Sequence, residues 1–202
     1  MKKILCFGDS NTYGFKPDDF QRYGENERWS GILKQKLAPD YEITEEGCNN
    51  RNGFVDSEGG ENLTGYKVLP ALLKTNPDVV ILAIGINDLQ KSYNPELEVM
   101  ESGLDNMVKS VKAQGAECIV IAPPVLDERI LNGFFVCQFN TVSIEKSKFL
   151  PEIYKAVAAK NGAHYINPNE YVSVSDVDGL HYTAEGHSVI ADVFADYILK
   201  HF

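Results

Sequence analysis

The sequence predicts a three-layer α/β/α sandwich, with helices on both faces of a five-stranded parallel sheet. Five short runs rich in apolar residues predict the strands, and continuous apolar runs are typical of strands buried on both faces. Segments in which apolar residues recur every three or four positions predict amphipathic helices between them. Because strands alternate with helices along the chain, we expect right-handed crossovers to join parallel strands into one sheet.

The predicted strands cover residues 3–7, 41–44, 79–84, 118–122 and 164–166. Gly8 and Gly85 close the first and third of them, and prolines follow the fourth and fifth. The longest apolar run, residues 79–86, is too short to cross a bilayer.

The predicted helices include one with a clear apolar stripe. That stripe consists of Leu97, Met100, Leu104, Met107 and Val111. Residues 189–198 show the same spacing near the end of the chain, with Thr183 as the expected N-cap. Residues 29–37, 66–73 and 149–159 complete the set.

The composition indicates one globular domain spanning residues 1–202, with 44% hydrophobic and 24% charged residues. The chain has 19 basic and 29 acidic residues, a net charge of −10, which argues against nucleic acid or an anionic membrane surface as a partner. The four cysteines are far apart and form no Cys-x-x-Cys pair. We therefore expect a reduced, cytoplasmic protein.

In open α/β sheets, ligands bind beyond the carboxyl ends of the strands, so the loops at those ends are examined first. The loop after the first strand runs from Gly8 to Gly14 and contains Ser10. It has neither the glycine spacing of a dinucleotide fingerprint nor the Gly-Lys-Ser/Thr of a P-loop, and it is not a Gly-x-Ser-x-Gly elbow. Taken alone, it is most simply a turn that caps the next helix.

Two further loops carry polar groups suited to acyl transfer. Asn87 follows the third strand, where its amide could donate to a developing oxyanion, although an Asx turn is the simpler explanation. Asp178 and His181 precede the last helix, at a spacing that lets the carboxylate bind Nδ1 and leaves Nε2 free as a base. Asp176 and His187 lie nearby and raise the alternative of a metal site. A serine, an amide and an Asp-x-x-His at one sheet edge are the parts of an acyl-transfer site.

These blocks resemble the SGNH (GDSL) hydrolase family, and within it the arylesterase-like branch. The resemblance covers nearly the whole chain, with three separated blocks in the right order at strand ends. The matching segments are Gly8-Asp9-Ser10-Asn11-Thr12-Tyr13-Gly14, Arg28-Trp29-Ser30-Gly31, Glu45-Glu46-Gly47, Gly85-Ile86-Asn87-Asp88 and Asp178-Gly179-Leu180-His181 with the six residues after it. The resemblance implies the flavodoxin-like strand order 2-1-3-4-5.

The resemblance also implies a catalytic triad in which Ser10 is the nucleophile, His181 the general base and Asp178 its orienter. The implied oxyanion hole comprises the Ser10 N–H, the Asn87 amide and one backbone N–H from the block after the second strand. The family usually has glycine at that last position, whereas this chain has Asn50. Asparagine adopts left-handed conformations more readily than other non-glycine residues. We therefore expect the backbone N–H of Asn50 to be the third donor of the oxyanion hole. Gly47 and Gly53 are the alternatives.

The sequence therefore predicts a serine esterase that acts on small acyl esters, such as acetyl esters of alcohols, phenols or sugars, without a metal or organic cofactor. Apolar side chains in the connection over residues 127–147 predict either a wall of the substrate pocket or packing under their own loop or against a second subunit. These side chains are Leu131, Phe134, Phe135, Val136 and Phe139. Alternatives left open are an acyltransferase or thioesterase with the same residues, and a non-catalytic flavodoxin-like protein whose first loop binds phosphate.

Overall fold

The computed structural model describes residues 1–202 and contains one five-stranded parallel sheet. Its strands are β1 (Lys2–Gly8), β2 (Tyr41–Gly47), β3 (Val79–Ala83), β4 (Glu117–Ile121) and β5 (His164–Ile166). Their order across the sheet is β2-β1-β3-β4-β5, which confirms the predicted fold class and strand order. None of the helices combines the length and the hydrophobicity needed to span a bilayer.

Seven helices accompany the sheet. They are α1 (Ser10–Tyr13), α2 (Trp29–Leu37), α3 (Gly65–Leu73), α4 (Leu97–Ala113), α5 (Thr141–Ser147), α6 (Leu150–Lys160) and α7 (Ala184–His201). The predicted N-cap of the last helix is confirmed, since the Thr183 side chain accepts the N–H of Gly186 at 3.1 Å. Five helices thus match the predicted segments to within a few residues at their ends.

The sheet lies between two apolar clusters, as expected for strands buried on both faces. Successive residues of β1 alternate between them: Leu5 and Phe7 pack with α3, α4 and α6, whereas Ile4 and Cys6 pack with α2 and α7. All of these side chains are at most 2% exposed. This two-sided burial explains why the strand has no polar alternation.

The connection over residues 127–147 is more ordered than the sequence pattern indicates. Two 3-10 turns (Glu128–Leu131 and Phe134–Cys137) precede α5, which the apolar periodicity does not reveal because the helix has only seven residues. Its local signal is a capping box: Asn140 accepts the N–H of Ser143 at 3.0 Å, and the Ser143 hydroxyl accepts the N–H of Asn140 at 3.2 Å.

Strand order fixes where a ligand can bind. The chain goes from β1 to one neighbour, β2, and then crosses to the other neighbour, β3, so the strand order reverses next to β1. The segments that follow β1, β2 and β3 begin with Asp9, Cys48 and Ile84 and leave the sheet at the same edge. A cleft is expected at that point of an open α/β sheet.

Candidate active site

Ser10, His181 and Asp178 form one chain of hydrogen bonds at this edge. His181 Nε2 lies 2.8 Å from Ser10 Oγ, and His181 Nδ1 lies 2.6 Å from Asp178 Oδ2. All three residues are at most 5% exposed. With the Nδ1 proton donated to the carboxylate, Nε2 presents its free electron pair to the serine hydroxyl.

Asp178 also shapes the turn that presents the imidazole. Its Oδ1 accepts the backbone N–H groups of Leu180 at 2.9 Å and of His181 at 3.0 Å. Burial alone would raise the pKa of Asp178, but the hydrogen bond from the imidazole and these two N–H groups hold that pKa below its ordinary value. The carboxylate is therefore charged at neutral pH and fixes the ring orientation.

Gly179 makes this turn sterically accessible. Its φ of +68° lies in the left-handed region, where a side chain is unfavourable. A Cβ at this position would also lie 2.8 Å from the Ile130 nitrogen and 2.9 Å from the Asp127 oxygen. The turn that holds the imidazole thus packs directly against the segment after β4.

Asn11 joins the serine loop to the histidine loop. Its Nδ2 donates to the carbonyl of Leu180 at 3.3 Å, and its Oδ1 accepts the N–H of Tyr182 at 3.2 Å. One carboxamide therefore binds the backbone on both sides of His181. These bonds also occupy a side chain that the flavodoxin-like alternative would use for phosphate.

A cleft of about 230 Å³ opens in front of the serine. Ser10, Asn50, Asn87 and His181 all line it, and the buried Asp178 lies behind the imidazole, so the structure brings every residue predicted for the site to one place. Asn50 has a φ of +61°, the left-handed conformation expected for it. The N–H groups of Ser10 and Asn50 donate no hydrogen bond within the chain.

The two glycine alternatives to Asn50 are engaged elsewhere. The N–H of Gly53 donates to Asp88 Oδ2 at 2.6 Å. Gly47 ends β2 and lies directly against the backbone of Thr12 and Tyr13, where a Cβ would collide. Neither glycine lines the cleft.

Asp88, which the sequence pattern does not single out, anchors the block after β2. Its carboxylate accepts the N–H groups of Gly53 at 2.6 Å, Phe54 at 2.7 Å and Val55 at 3.0 Å. Burial raises the pKa of Asp88 to about 6, and these three donors oppose that shift. The residue after Asn87 thus ties the β3 loop to the β2 loop.

An ion pair beside the loop of Ser10 joins two further segments of the family motif, residues 28–31 and residues 45–47. Arg28 donates to Glu45 from Nε at 2.6 Å and from a terminal nitrogen at 2.9 Å, and the Ser30 hydroxyl donates to the same carboxylate at 2.8 Å. Burial would raise the pKa of Glu45, but these bonds hold it below its ordinary value. The start of α2 is thereby fixed to β2, which gives both blocks a structural role.

Aromatic rings form one wall of the cleft. The ring centroids of Phe15 and Phe135 lie 4.4 Å and 5.3 Å from that of His181. Phe135 was predicted for this wall, whereas Phe15 was not. Phe139, also predicted, is 1% exposed and belongs to the core, and Phe134 is 64% exposed beyond the cleft. The amides of Asn49, Asn50 and Gln138 also line the cleft.

The side chains of the metal alternative are dispersed. Asp176 is 87% exposed at its side chain and pairs with Arg129 at 2.8 Å. His187 is fully buried, and its Nδ1 accepts the N–H of Trp29 at 3.3 Å. No group of three or more His, Cys, Asp or Glu side chains in the structure could hold a metal ion.

Comparisons with known proteins show which proteins this chain is similar to. The model of the GDSL-like lipase/acylhydrolase family matches residues 6–189. A search of curated protein sequences found no match. Among solved structures, the native aryl esterase of M. smegmatis is 26% identical, with a TM-score of 0.93 and complete coverage of both chains. A carbohydrate acetylesterase from Sinorhizobium meliloti is 28% identical, with a TM-score of 0.91 and complete coverage of both chains.

The family match spans most of the chain and includes Ser10, Asn87, Asp178 and His181. The resemblance stated from the sequence blocks is therefore confirmed, both for the family and for the similarity to arylesterases. The chain belongs to the GDSL-like lipase/acylhydrolase family.

Proposed function

We propose that this chain is a serine esterase that hydrolyses small acyl esters through a covalent acyl-enzyme on Ser10. The family and the two esterase relatives support hydrolysis of carboxylic esters by a serine enzyme. The roles proposed for the individual residues rest on one observation, the continuous series of hydrogen bonds from Asp178 to His181 to Ser10. The two distances are 2.6 Å and 2.8 Å. Both distances are within hydrogen-bonding reach, as a nucleophile and its general base require.

In the first half of the reaction, Ser10 Oγ attacks the acyl carbon and His181 Nε2 takes the hydroxyl proton. The π electron pair of the carbonyl group moves to its oxygen, which becomes an oxyanion on a tetrahedral carbon. This intermediate collapses by breaking the bond to the alcohol, which leaves with the proton from the imidazolium. The product is an ester between the acyl group and Ser10.

In the second half, water replaces the alcohol. His181 Nε2 takes a proton from the attacking water, and the second tetrahedral intermediate releases the acid and restores the Ser10 hydroxyl. Asp178 stabilises the imidazolium in both halves and keeps the Nδ1 proton in place. Its lowered pKa supports this role, since the group must stay charged while the imidazole cycles.

Three donors serve the oxyanion in this proposal: the Ser10 N–H, the Asn50 N–H and Asn87 Nδ2. Support comes from their common position along the cleft and from the absence of intramolecular acceptors for the two backbone N–H groups. Preorganised donors aimed at developing charge are commonly the largest contribution to this kind of catalysis.

The cleft supports a small acyl group, such as acetyl, on an alcohol, a phenol or a sugar. Its aromatic wall at Phe15 and Phe135 suits a flat apolar group, and the amides of Asn49 and Gln138 suit hydroxyl groups. The names of the two relatives, an aryl esterase and a carbohydrate acetylesterase, fall within the same range.

Labelling with a fluorophosphonate, followed by peptide mass spectrometry, tests the proposal. We expect one modified residue, Ser10, and no label in Ser10→Ala. Labelling at another serine, or none in a protein that is active on p-nitrophenyl acetate, would overturn it. Adding an acceptor alcohol and measuring the ratio of free acid to new ester distinguishes hydrolysis from acyl transfer.

A further inference from the structure

One buried side chain contacts both amides that flank the cleft. Gln90 Nε2 donates to Asn87 Oδ1 at 3.0 Å and to Asn50 Oδ1 at 2.7 Å. Gln90 is 5% exposed and follows the 3-10 turn that carries Asn87. A carboxamide nitrogen has two hydrogens, so these two bonds use the whole donor capacity of the Gln90 side chain.

The contact with Gln90 determines which way the Asn87 carboxamide faces. Asn87 Nδ2 donates to the carbonyl of Arg51 at 3.1 Å, so its Oδ1 is turned toward Gln90. The second N–H of the Asn87 carboxamide then remains free to point into the cleft, which Asn87 lines. A flipped carboxamide would put its oxygen against the Arg51 carbonyl and would offer the oxyanion an acceptor in place of a donor.

These bonds form a closed ring. It runs from Gln90 to Asn87, from Asn87 to the backbone of Arg51, along the chain to Asn50, and from the Asn50 side chain back to Gln90. The ring joins the loop after β3 to the loop after β2. It also holds Asn50 at its φ of +61°, a conformation that surrounding contacts must maintain in a residue other than glycine.

We infer that Gln90 is a positioning residue of the oxyanion hole. It keeps an N–H of Asn87 directed into the cleft and holds the Asn50 backbone beside it, without touching the substrate. The inference rests on the proposed function, in which Asn87 and Asn50 supply oxyanion donors. Gln90 would thus act on the transition state through Asn87 and Asn50.

Two substitutions of similar side-chain length test this role. Gln90→Met removes both donated hydrogen bonds, and Gln90→Glu places acceptors against two amide oxygens, which favours the flipped Asn87 carboxamide. We expect kcat on p-nitrophenyl acetate to fall roughly 10- to 100-fold for Gln90→Met and further for Gln90→Glu, toward the roughly 10²- to 10³-fold loss typical of a missing oxyanion donor. KM should not change, because the oxyanion exists only beyond the ground state.

The pH profile and a double-mutant cycle separate positioning from a structural role. The activity of Gln90→Glu relative to the wild type should rise as pH falls, since protonation of the new carboxyl restores a donor. Gln90→Met should cause a smaller loss when Asn87 is already alanine, because only the part of its effect that passes through Asn50 then remains. Gln114→Glu, an exposed substitution at the end of α4, is the control with the same change of charge.

The outcomes are distinct. Unchanged kcat in both Gln90 variants, or an equal loss with and without Asn87→Ala, would overturn the inference and leave the proposed function standing. If Asn87→Ala itself retains full kcat, the oxyanion assignment fails and the inference fails with it. Thermal unfolding, followed by circular dichroism, shows which variants are folded. If only one of the two Gln90 variants folds, that variant is used for the double-mutant cycle with Asn87→Ala.

Discussion

The imidazole of His181 lies 2.8 Å from the Ser10 hydroxyl although 171 positions separate the two residues. The strand order brings the two loops to one edge, and the Asn11 side chain then binds the backbone of Leu180 and Tyr182 on either side of the histidine. The proposed nucleophile and the proposed base are therefore in contact before any substrate binds.

Replacing the nucleophile should abolish turnover. Ser10→Ala removes the atom that forms the acyl-enzyme, and we expect a loss of kcat on the order of 10⁶ if the three residues act as a unit. Steady-state hydrolysis of p-nitrophenyl acetate measures it. Ser102→Ala, an exposed serine on α4, should keep full activity. A Ser10→Ala enzyme that retains substantial turnover would refute the nucleophile assignment.

Asp178→Asn should impair the base while preserving the shape of the site. The amide would donate to Nδ1 and so place the imidazole proton on Nε2, where it blocks acceptance of the Ser10 proton. We expect a loss of about 10⁴ in kcat at neutral pH, as for the corresponding change in other serine triads. The near-ultraviolet circular dichroism spectrum should match that of the wild type. An active Asp178→Asn enzyme would show that the carboxylate is dispensable.

Asn87→Ala should act on the transition state. The variant loses one oxyanion donor, and we expect kcat to fall roughly 10²- to 10³-fold with little change in KM. Asn106→Ala, exposed on α4, is the matched control. A change confined to KM would mean that the Asn87 amide binds the ground state of the substrate and does not serve the oxyanion.

Phe135→Ala should weaken binding of apolar and aromatic esters. Phe135 lines the cleft, 6.0 Å from the Phe15 ring, so its removal opens the aromatic wall. We expect KM for an aryl ester to rise more than KM for a small polar ester. Phe149→Ala removes a ring that is 58% exposed and does not line the cleft, and it should leave both values unchanged. Equal effects on the two esters would contradict a substrate-binding role.

Asp9 should make the free energy of unfolding depend on pH. It is 3% exposed, and burial raises its pKa from 3.8 to about 7. Between those values the folded protein holds a proton that the unfolded chain has released, so this group lowers the free energy of unfolding as pH rises from about 4 to about 7. Asp9→Asn cannot ionise and keeps an oxygen to accept the N–H of Asn11.

Denaturant unfolding at about pH 5 and about pH 8 tests this account of Asp9. The free energy of unfolding should fall less between the two conditions in Asp9→Asn than in the wild type. The buried Asp88 contributes to both proteins, so only the difference between them reports on Asp9. Parallel pH dependence would show that the Asp9 carboxyl is not protonated in the fold.

The parts of the site that the sequence predicted are those with local signals. Ser10 and Asn87 follow apolar runs closed by glycine, and Asp178 precedes His181 by three positions, a spacing at which a turn can join them. Gln90 and Asn11 were not predicted as contacts because each binds a partner in another loop, Asn50 for Gln90 and the backbone beside His181 for Asn11. For Phe139 a cleft position and packing under its own loop both stayed open, since an aromatic cluster does not reveal which ring faces the core.

By itself, the sequence determined the five strand segments, five of the seven helices, the α/β class and the residue types of the proposed triad. These depend on hydrophobic periodicity and on short spacings, which are properties of neighbouring residues. Tertiary structure alone decided that the Gly53 N–H binds Asp88, that Asn50 lines the cleft, and that Gln90 joins Asn50 to Asn87. The physical reason is that each of these contacts joins separate loops, whose distance is fixed only when the strands pair in the order 2-1-3-4-5.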